Sequence, residues 1–276
     1  MTKLQSILVP TDFSSNSENA VNYGVDLAAT CGAKLVLLHV YQVPVQLSEN
    51  PIPLISISEL EDANRAALEK YRKKIVSKYP SIEISIVLKL GFVVDEILEA
   101  ANENKVDLIV MGITGVGAGL NSLIGSSTAT VLKKSKTPIL VIPANSKFKK
   151  IENIALAFDY KNNIASDALM QVKKYSQLFG AKVVALNVFK PEAVPTVEEA
   201  AMGINVKNSL GTIDCDFKYL QSEDVVEELN QFVDSYQCDW LVMFPHNYNL
   251  FEGLFHKSST KQMAYHTHIP LLSIHQ

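Results

Sequence analysis

The chain has little cysteine, and the three it has are not arranged to bind a metal. Cys31, Cys215 and Cys238 lack metal-ligand spacing and are odd in number, which fits buried thiols in a reducing compartment. The start of the chain, MTKLQSILVPTDFS, reaches polar and acidic residues too soon for a signal peptide, so we expect a cytoplasmic protein. Charged residues make up 20% of the chain and the net charge is −4, which argues against nucleic acid and anionic lipid as partners.

The longest stretch without a charged residue is the 25 residues from Leu108 to Leu132. On length alone this run could cross a membrane. Several of its side chains carry hydroxyl or amide groups: Asn121, Ser122, Ser126, Ser127, Thr128 and Thr130. Each of these groups would need a hydrogen-bond partner in lipid, so we expect no membrane span. The run also lacks lysine, which excludes a P-loop, because that motif requires Gly-Lys followed by Ser or Thr.

An internal repeat organises the chain. The segment 93–112 recurs at 225–244, and the segment 126–142 recurs at 258–274, both at an offset of 132 residues. Two adjacent valines, a glutamate, an aspartate and a methionine recur in the first pair, and Ser-Ser-Thr and a proline recur in the second. Self-similarity at a fixed offset is typical of a duplicated structural unit.

The fronts of the two halves also match. ILVPTDFS resembles IALAFDYK, which aligns Asp12 with Asp159. The sequence therefore predicts two copies of one domain, residues 1–146 and residues 150–276. The segment ANSKFKK joins them.

Each half alternates apolar runs with helix-like segments. In the first half the run SILVPT is followed by Ser14 and Ser15 as candidate N-caps, and the helix that they open ends before Gly32. The apolar runs lack strict alternation, which is typical of parallel strands covered by helices on both faces. The sequence predicts an α/β fold with a doubly wound parallel sheet in each half.

Two of these strands end in residues suited to a ligand site. Ligands of doubly wound sheets bind at the carboxyl ends of the strands where the strand order reverses, and Asp12 follows the first strand and Gly112 the fourth. The segment 125–128 would open a helix whose free N–H groups and positive end receive a phosphate. A packing or turn role for the glycines stays open beside this interpretation.

Together these residues resemble the universal stress protein family. Its ATP-binding members carry the motif G-x2-G-x9-G followed by Ser or Thr, and Gly112, Gly115 and Gly125-Ser126 stand at that spacing. The resemblance covers the first half nearly from end to end and the second half more faintly. It implies two Rossmann-like domains of the adenine nucleotide alpha hydrolase type, with strand order 3-2-1-4-5 in each.

The resemblance also implies a binding site for an adenine nucleotide. ATP is the expected ligand, with AMP or ADP as alternatives and Mg as an optional companion. Asp12 would contact ribose or adenine, the backbone of Val40 the adenine edge, and the glycine loop with its hydroxyls the phosphates. The implied site residues are Pro10, Thr11, Asp12, Val40, Met111, Gly112, Gly115, Gly125, Ser126, Ser127 and Thr128. A role for Asp12 as the cap of the following helix is the alternative, and Val116 stands where many family members have a basic residue.

The second half departs from the motif. The three glycine positions become Phe244, Asn247 and Lys257. A phenyl ring would fill space that backbone leaves open in the first half, and lysine lacks the conformational freedom of glycine. Pro245 also removes an N–H donor. We therefore expect the nucleotide in the first half only, although other matching residues remain: Asp159, Ser258, Ser259 and Thr260.

Two further features have competing interpretations. Five of the six histidines lie in the second half, and His266 and His268 would share a face of an extended segment, yet no cysteine or carboxylate completes a metal site there. Exposed or core histidines, and no metal, are the expectation. The segment 42–62 contains three prolines and several serines, which predicts an irregular excursion that serves as a lid or a partner surface.

Three functional classes follow from these patterns. A nucleotide-dependent regulatory protein of the stress response is favoured. A slow ATP hydrolase or phosphotransferase is the alternative, but phosphoryl transfer needs a metal or arginine and a positioned base, which residues 112–132 do not supply. A scaffold for oligomer assembly that binds no nucleotide is the third class, and the intact glycine motif argues against it.

The apolar fifth strands predict how the halves meet. Single-copy family members commonly pair through this strand, and the resemblance implies that PILVIP (138–143) and PLLSIH (270–275) pair within one chain. An apolar edge strand is prone to aggregate until it is paired or covered. We expect antiparallel pairing, an internal pseudo-dimer of the two halves, and a homo-oligomer as a further option.

Overall fold

A computed structural model describes residues 3–43, 56–113, 125–158, 164–189, 197–244 and 268–275. These residues confirm the α/β class, with one ten-stranded sheet between two layers of helices. The strands are β1 (Ser6–Pro10), β2 (Lys34–Tyr41), β3 (Ile84–Leu90), β4 (Leu108–Gly112), β5 (Ile139–Ile142), β6 (Asn153–Ala157), β7 (Lys182–Phe189), β8 (Cys215–Gln221), β9 (Trp240–Met243) and β10 (Leu271–Ser273). The helices are α1 (Ser15–Cys31), α2 (Ile57–Lys78), α3 (Val93–Glu103), α4 (Ser126–Lys134), α5 (Ser166–Phe179), α6 (Val197–Leu210) and α7 (Val225–Ser235).

The strand order repeats from one half to the other. The order across the sheet is β3-β2-β1-β4-β5-β10-β9-β6-β7-β8, so each half reads third, second, first, fourth and fifth. Neighbouring strands within each half are parallel, whereas β5 and β10 pair antiparallel with Leu272 opposite Leu140. The carboxyl ends of the strands therefore lie at opposite edges of the sheet in the two halves.

The described helices cover both faces of the sheet. Buried residues of α1, α2, α5 and α6 form one core cluster with one face of the sheet, and those of α3, α4 and α7 form a second cluster on the other face. Each cluster contains residues from both halves. The strands in the middle of the sheet are buried on both faces, which explains why they are apolar without alternation.

Helix α1 begins and ends at the residues that its sequence predicts. The Oγ of Ser14 accepts a hydrogen bond from the Ser17 N–H at 3.2 Å, and Gly32 ends the helix in the left-handed region with φ of 65°. A Cβ at Gly24 would lie 2.8 Å from Cγ2 of Val9. Glycine therefore allows the helix to pack directly against β1.

The aspartate that recurs in both halves has the same structural role in each. Asp107 Oδ2 accepts from the N–H groups of Gln5 and Ser6, at 2.7 and 3.2 Å. Asp239 Oδ2 accepts from the two equivalent N–H groups at the start of β6, at 2.7 and 2.9 Å. Each carboxylate joins the first and fourth strands of its half at their amino ends, away from the expected ligand site at the carboxyl ends.

Side chains also connect the two halves. The Nε1–H of Trp240 on β9 donates to the hydroxyl of Tyr23 on α1 at 2.8 Å, and both groups are buried. Lys174 on α5 lies 3.2 Å from Oδ1 of Asp107. Within the second half, Tyr175 and Phe179 pack edge-on against the Trp240 ring, with centroids 5.7 and 5.2 Å away, and hold it in place for this contact.

The structure tests the predicted irregular excursion over 42–62 only at the two ends of the segment. Residues 44–55 lie outside the described ranges, but α2 already begins at Ile57. Ser56 and Glu59 form a capping box, in which the Glu59 N–H donates to Ser56 Oγ at 3.2 Å and the Ser56 N–H donates to Glu59 Oε2 at 2.9 Å. The expectation was wrong for 56–62, because Ser-x-x-Glu is itself a helix-start signal.

The cysteines are free thiols in the structure, as their number suggested. Burial raises the pKa of Cys31 and Cys215 to about 11 and that of Cys238 to about 12. A raised pKa keeps the thiol protonated and unreactive. Across the described ranges, no helix is both long and apolar enough for a membrane crossing.

Candidate functional site

The first half has its topological switch point between β1 and β4. From β1 the chain goes to β2 on one side, and β4 pairs with β1 on the other, with Leu8 opposite Ile109. Loops that leave these two strands diverge to opposite faces of the sheet and open a crevice. The segments that follow β1 and β4 contain the motif residues described below.

Asp12 lies in the turn between β1 and α1 and is exposed. Its Oδ1 accepts from the N–H of Ser14 at 3.0 Å and from the Ser14 hydroxyl at 2.6 Å. Ser14, rather than Asp12, caps α1. The carboxylate therefore supports the cap residue while it remains at the surface of the crevice.

Phe13 holds an unusual backbone conformation directly after Asp12. Its φ of 61° is in the left-handed region, which a bulky residue adopts rarely and only where its surroundings impose it. Its ring lies 4.5 Å from that of His39 and 6.0 Å from that of Tyr71, between centroids. Burial raises the pKa of the Tyr71 hydroxyl, so this ring stays neutral.

His39 is a site residue that the sequence interpretation missed. It is 8% exposed, and its Nδ1 lies 2.7 Å from the carbonyl oxygen of Thr11. Its Nε2 lies 3.0 Å from Oδ1 of Asn64, which is on α2. In the sequence only its position beside Val40 could have drawn attention to it.

The backbone of Val40 faces the crevice. The carbonyl of Leu38 accepts from the N–H of Thr11, and the carbonyl of Tyr41 accepts from the N–H of Gly91 next to β3. Because the N–H and C=O groups of successive strand residues point to opposite sides, those of Val40 point toward β1. Strand β1 ends at Pro10, opposite Leu38, so these groups lie two residues beyond its last pair.

The start of α4 is fixed to the end of β4. The N–H of Gly125 donates to the carbonyl of Ile113 at 2.7 Å, and the hydroxyl of Thr128 donates to the carbonyl of Gly112 at 3.0 Å. Gly125 is the N-cap and provides no side-chain acceptor, so the first N–H groups of the helix have no cap from it. Ser126 is exposed and Ser127 half-buried at this end.

The remaining residues of the implied set differ in how they are placed. Pro10 is half-buried, whereas Thr11, Met111 and Thr128 are buried at 5%, 6% and 4% exposure. The hydroxyl of Thr11 bonds with that of Ser17 and accepts from the N–H of Phe13, and the Met111 side chain is in the core below α3 and α4. Gly115 lies outside the described residues.

The value of Gly125 is not its conformational freedom. Its φ is −65°, which any residue adopts, so the reason expected for excluding lysine from the equivalent position was wrong. Lys257 itself lies outside the described residues, as do Pro245, Asn247, Asp159 and residues 258–260. What Gly125 offers is the absence of a side chain at the helix entrance.

In the second half, phenylalanines stand at two positions whose counterparts line the crevice of the first half. Phe158 corresponds to Thr11, because its N–H donates to Leu186 as that of Thr11 does to Leu38. Phe158 and Phe244 are 4% and 2% exposed and belong to one core cluster. Aromatic packing thus replaces the threonine and glycine found in the first half.

The histidines of the second half do not form a metal site among the described residues. His268 Nε2 lies 2.7 Å from Oδ1 of Asp234. His266, His256 and His246 lie outside the described ranges. Of the pair suggested by the sequence, the structure therefore describes one member, and that member pairs with a carboxylate.

Comparisons with known proteins agree with this architecture. The universal stress protein family model matches residues 3–143. A universal stress protein of Methanocaldococcus jannaschii is 30% identical over 146 residues, which cover 52% of this chain and 84% of that protein. One from Thermus aquaticus is 30% identical over 139 residues, which cover 50% and 98%.

A solved structure extends the likeness to both halves. The crystal structure of a universal stress protein from Archaeoglobus fulgidus has a TM-score of 0.72 to this structure, covers 98% of both chains and is 16% identical. That identity supports the fold alone. Together with the matching family model, the switch-point crevice and the glycine spacing, it leads to one conclusion: this chain belongs to the universal stress protein family.

Proposed function

We propose that the first half binds an adenine nucleotide, ATP in the first instance, and that occupancy regulates the protein in a stress response. The observation that carries the proposal is the crevice between β1 and β4. There an exposed carboxylate, an outward-facing strand backbone and the N-terminus of α4 lie at the same edge of the sheet. AMP and ADP remain candidates, because the same groups would receive their adenosine.

The chemistry of these groups suits the parts of a nucleotide. The Asp12 carboxylate accepts from two neighbouring ribose hydroxyls, and the Val40 N–H and C=O provide the donor and acceptor that an adenine edge requires. The phosphates would bind at the first N–H groups of α4, where the helix dipole favours negative charge. Ser126 and Ser127 would add hydroxyl donors, whereas the hydroxyl of Thr128 already donates to Gly112.

Binding without fast turnover is the form of this proposal that the residues support. Residues 112–132 contain no lysine, arginine, aspartate or glutamate, so this loop has neither a general base nor a charged clamp for a transferring phosphoryl group. The described residues contain no cluster suited to a metal. The protein would therefore hold the nucleotide as a signal.

We also propose that residues 1–146 and 150–276 act as an internal dimer in which only the first half has a nucleotide site. The antiparallel β5–β10 pairing and the Trp240–Tyr23 hydrogen bond support the joined arrangement. Phe158 and Phe244 support the second half as the structural partner.

The test is binding by the wild-type chain and by Gly112→Phe, which copies the second half. Small molecules released from the purified, denatured protein should include an adenine nucleotide by mass spectrometry. Gly112→Phe should abolish ATP binding and leave the circular dichroism spectrum intact. An unchanged affinity in the folded variant would show that the glycine loop does not hold the phosphates.

A further inference from the structure

We infer that His39 is the positioning residue of the nucleotide site, and that its hydrogen bond to the Thr11 carbonyl holds Asp12 in its binding position. This inference rests on the proposed function. It concerns a buried side chain below the crevice, which would not touch the nucleotide itself. Thr11 and Phe13, the two residues that flank Asp12, both contact this side chain.

His39 contacts the backbone before Asp12 and the side chain after it. The Thr11 carbonyl oxygen only accepts, so Nδ1 of His39 must carry a proton and donate it across their 2.7 Å separation. On the other side, the Phe13 ring packs on the imidazole at 4.5 Å. Asp12 thus lies between two residues that one imidazole holds in place.

The turn needs such support because its backbone is strained. Phe13 has a φ of 61° and is 40% exposed, so burial of its own ring does not account for the conformation. The bond to Thr11 fixes the chain before the left-handed residue. Without it we expect the turn to relax and Asp12 to sample positions that do not meet the ribose.

The second half contains an equivalent hydrogen bond, in which the donor is a side-chain amide instead of an imidazole. Asn187 corresponds to His39 in the strand register, and its Nδ2 donates to the carbonyl of Phe158, the counterpart of Thr11, at 2.8 Å. Asn187 is 5% exposed. Both halves therefore satisfy this carbonyl with a side-chain donor, but only the first half has a proposed nucleotide site beyond it.

This equivalence provides matched variants for ATP titration. His39→Phe keeps a ring against Phe13 and removes the donor, and we expect about tenfold weaker ATP binding because the turn is no longer preorganised. His39→Asn copies the second half, restores the donor and should bind within about threefold of wild type. Asn187→Leu removes the equivalent bond where no nucleotide binds, so it should lower the melting temperature and leave ATP affinity unchanged.

The outcomes separate this inference from the function on which it rests. Wild-type protein without ATP affinity would overturn both. Wild-type binding that His39→Phe leaves intact, or that Asn187→Leu weakens equally, would overturn the positioning role alone. If His39→Phe does not fold, nitrogen NMR of the wild-type imidazole decides. A protonated Nδ1 whose signal moves on ATP addition, while the Asn187 amide signal stays, supports the inference, and an unprotonated or unmoved Nδ1 contradicts it.

Discussion

A charge placed in the seam between β5 and β10 should separate the two halves. Leu272 is fully buried opposite Leu140, in the cluster that both halves share. Leu272→Glu removes about 2–3 kcal/mol of apolar burial. The introduced carboxyl must also become neutral, which costs about 1.4 kcal/mol for each unit by which its pKa rises. A total of about 5 kcal/mol corresponds to a fall in melting temperature of about 10 °C or more.

The stability lost in Leu272→Glu should depend on pH, because burial raises the pKa of the introduced carboxyl. The folded-state pKa of the introduced carboxyl lies above its unfolded value of about 4.3. As pH rises above that value the unfolded chain loses a proton that the folded chain keeps, so unfolding is favoured. The difference from wild type should therefore be smaller at pH 4 than at pH 7.

Calorimetric melting and Trp240 emission provide the assay, with Ile204→Glu as the surface control. Ile204 is 61% exposed on α6, so the same charge there should change stability by about 0.5 kcal/mol or less. Loss of the Tyr23 contact should shift Trp240 emission to the red in the seam variant. Equal melting temperatures for the two variants would refute the view that the seam joins the halves.

Three other outcomes follow from the same structure. With magnesium and ATP, phosphate release should stay close to background, and sustained turnover that Asp12→Ala abolishes would favour the hydrolase alternative. Gly24→Ala should lower the free energy of unfolding by about 1 kcal/mol, although alanine favours helix more than glycine does, because the new Cβ would lie 2.8 Å from Val9 Cγ2. A higher free energy of unfolding in urea denaturation would show that α1 shifts freely to make room. The fragment 1–146 should dimerise at high concentration and melt below the full chain, whereas a monomer that melts no lower would contradict the internal dimer.

The features that the sequence predicts well are those encoded by local signals. Ser14 and Gly32 mark the ends of α1 because a side-chain acceptor and a left-handed glycine satisfy the backbone groups of a helix locally. The apolar runs predict the strands, and the recurrence of Asp107 as Asp239 identifies the repeat. At the Ser56–Glu59 capping box a local helix signal conflicts with the prolines and serines around it, and the prediction of an irregular segment was wrong for residues 56–62.

The features that the sequence could not predict depend on residues far apart in the chain. His39 meets Thr11 and Asn64 across 28 and 25 positions, and Trp240 meets Tyr23 across 217. No periodicity or motif encodes such contacts, since they arise when the sheet brings strand ends together. The glycine spacing identified Gly125, but only its φ of −65° showed that conformational freedom is not what glycine provides there.

The stoichiometry of ATP binding distinguishes one nucleotide site in the first half from a site in each half. Isothermal titration of the full chain should give one site, because the first half has Thr11 and Gly112 where the second has the buried rings of Phe158 and Phe244. The Gly112→Phe variant should then give none. Two equivalent sites per chain, or one site that survives in Gly112→Phe, would contradict the account.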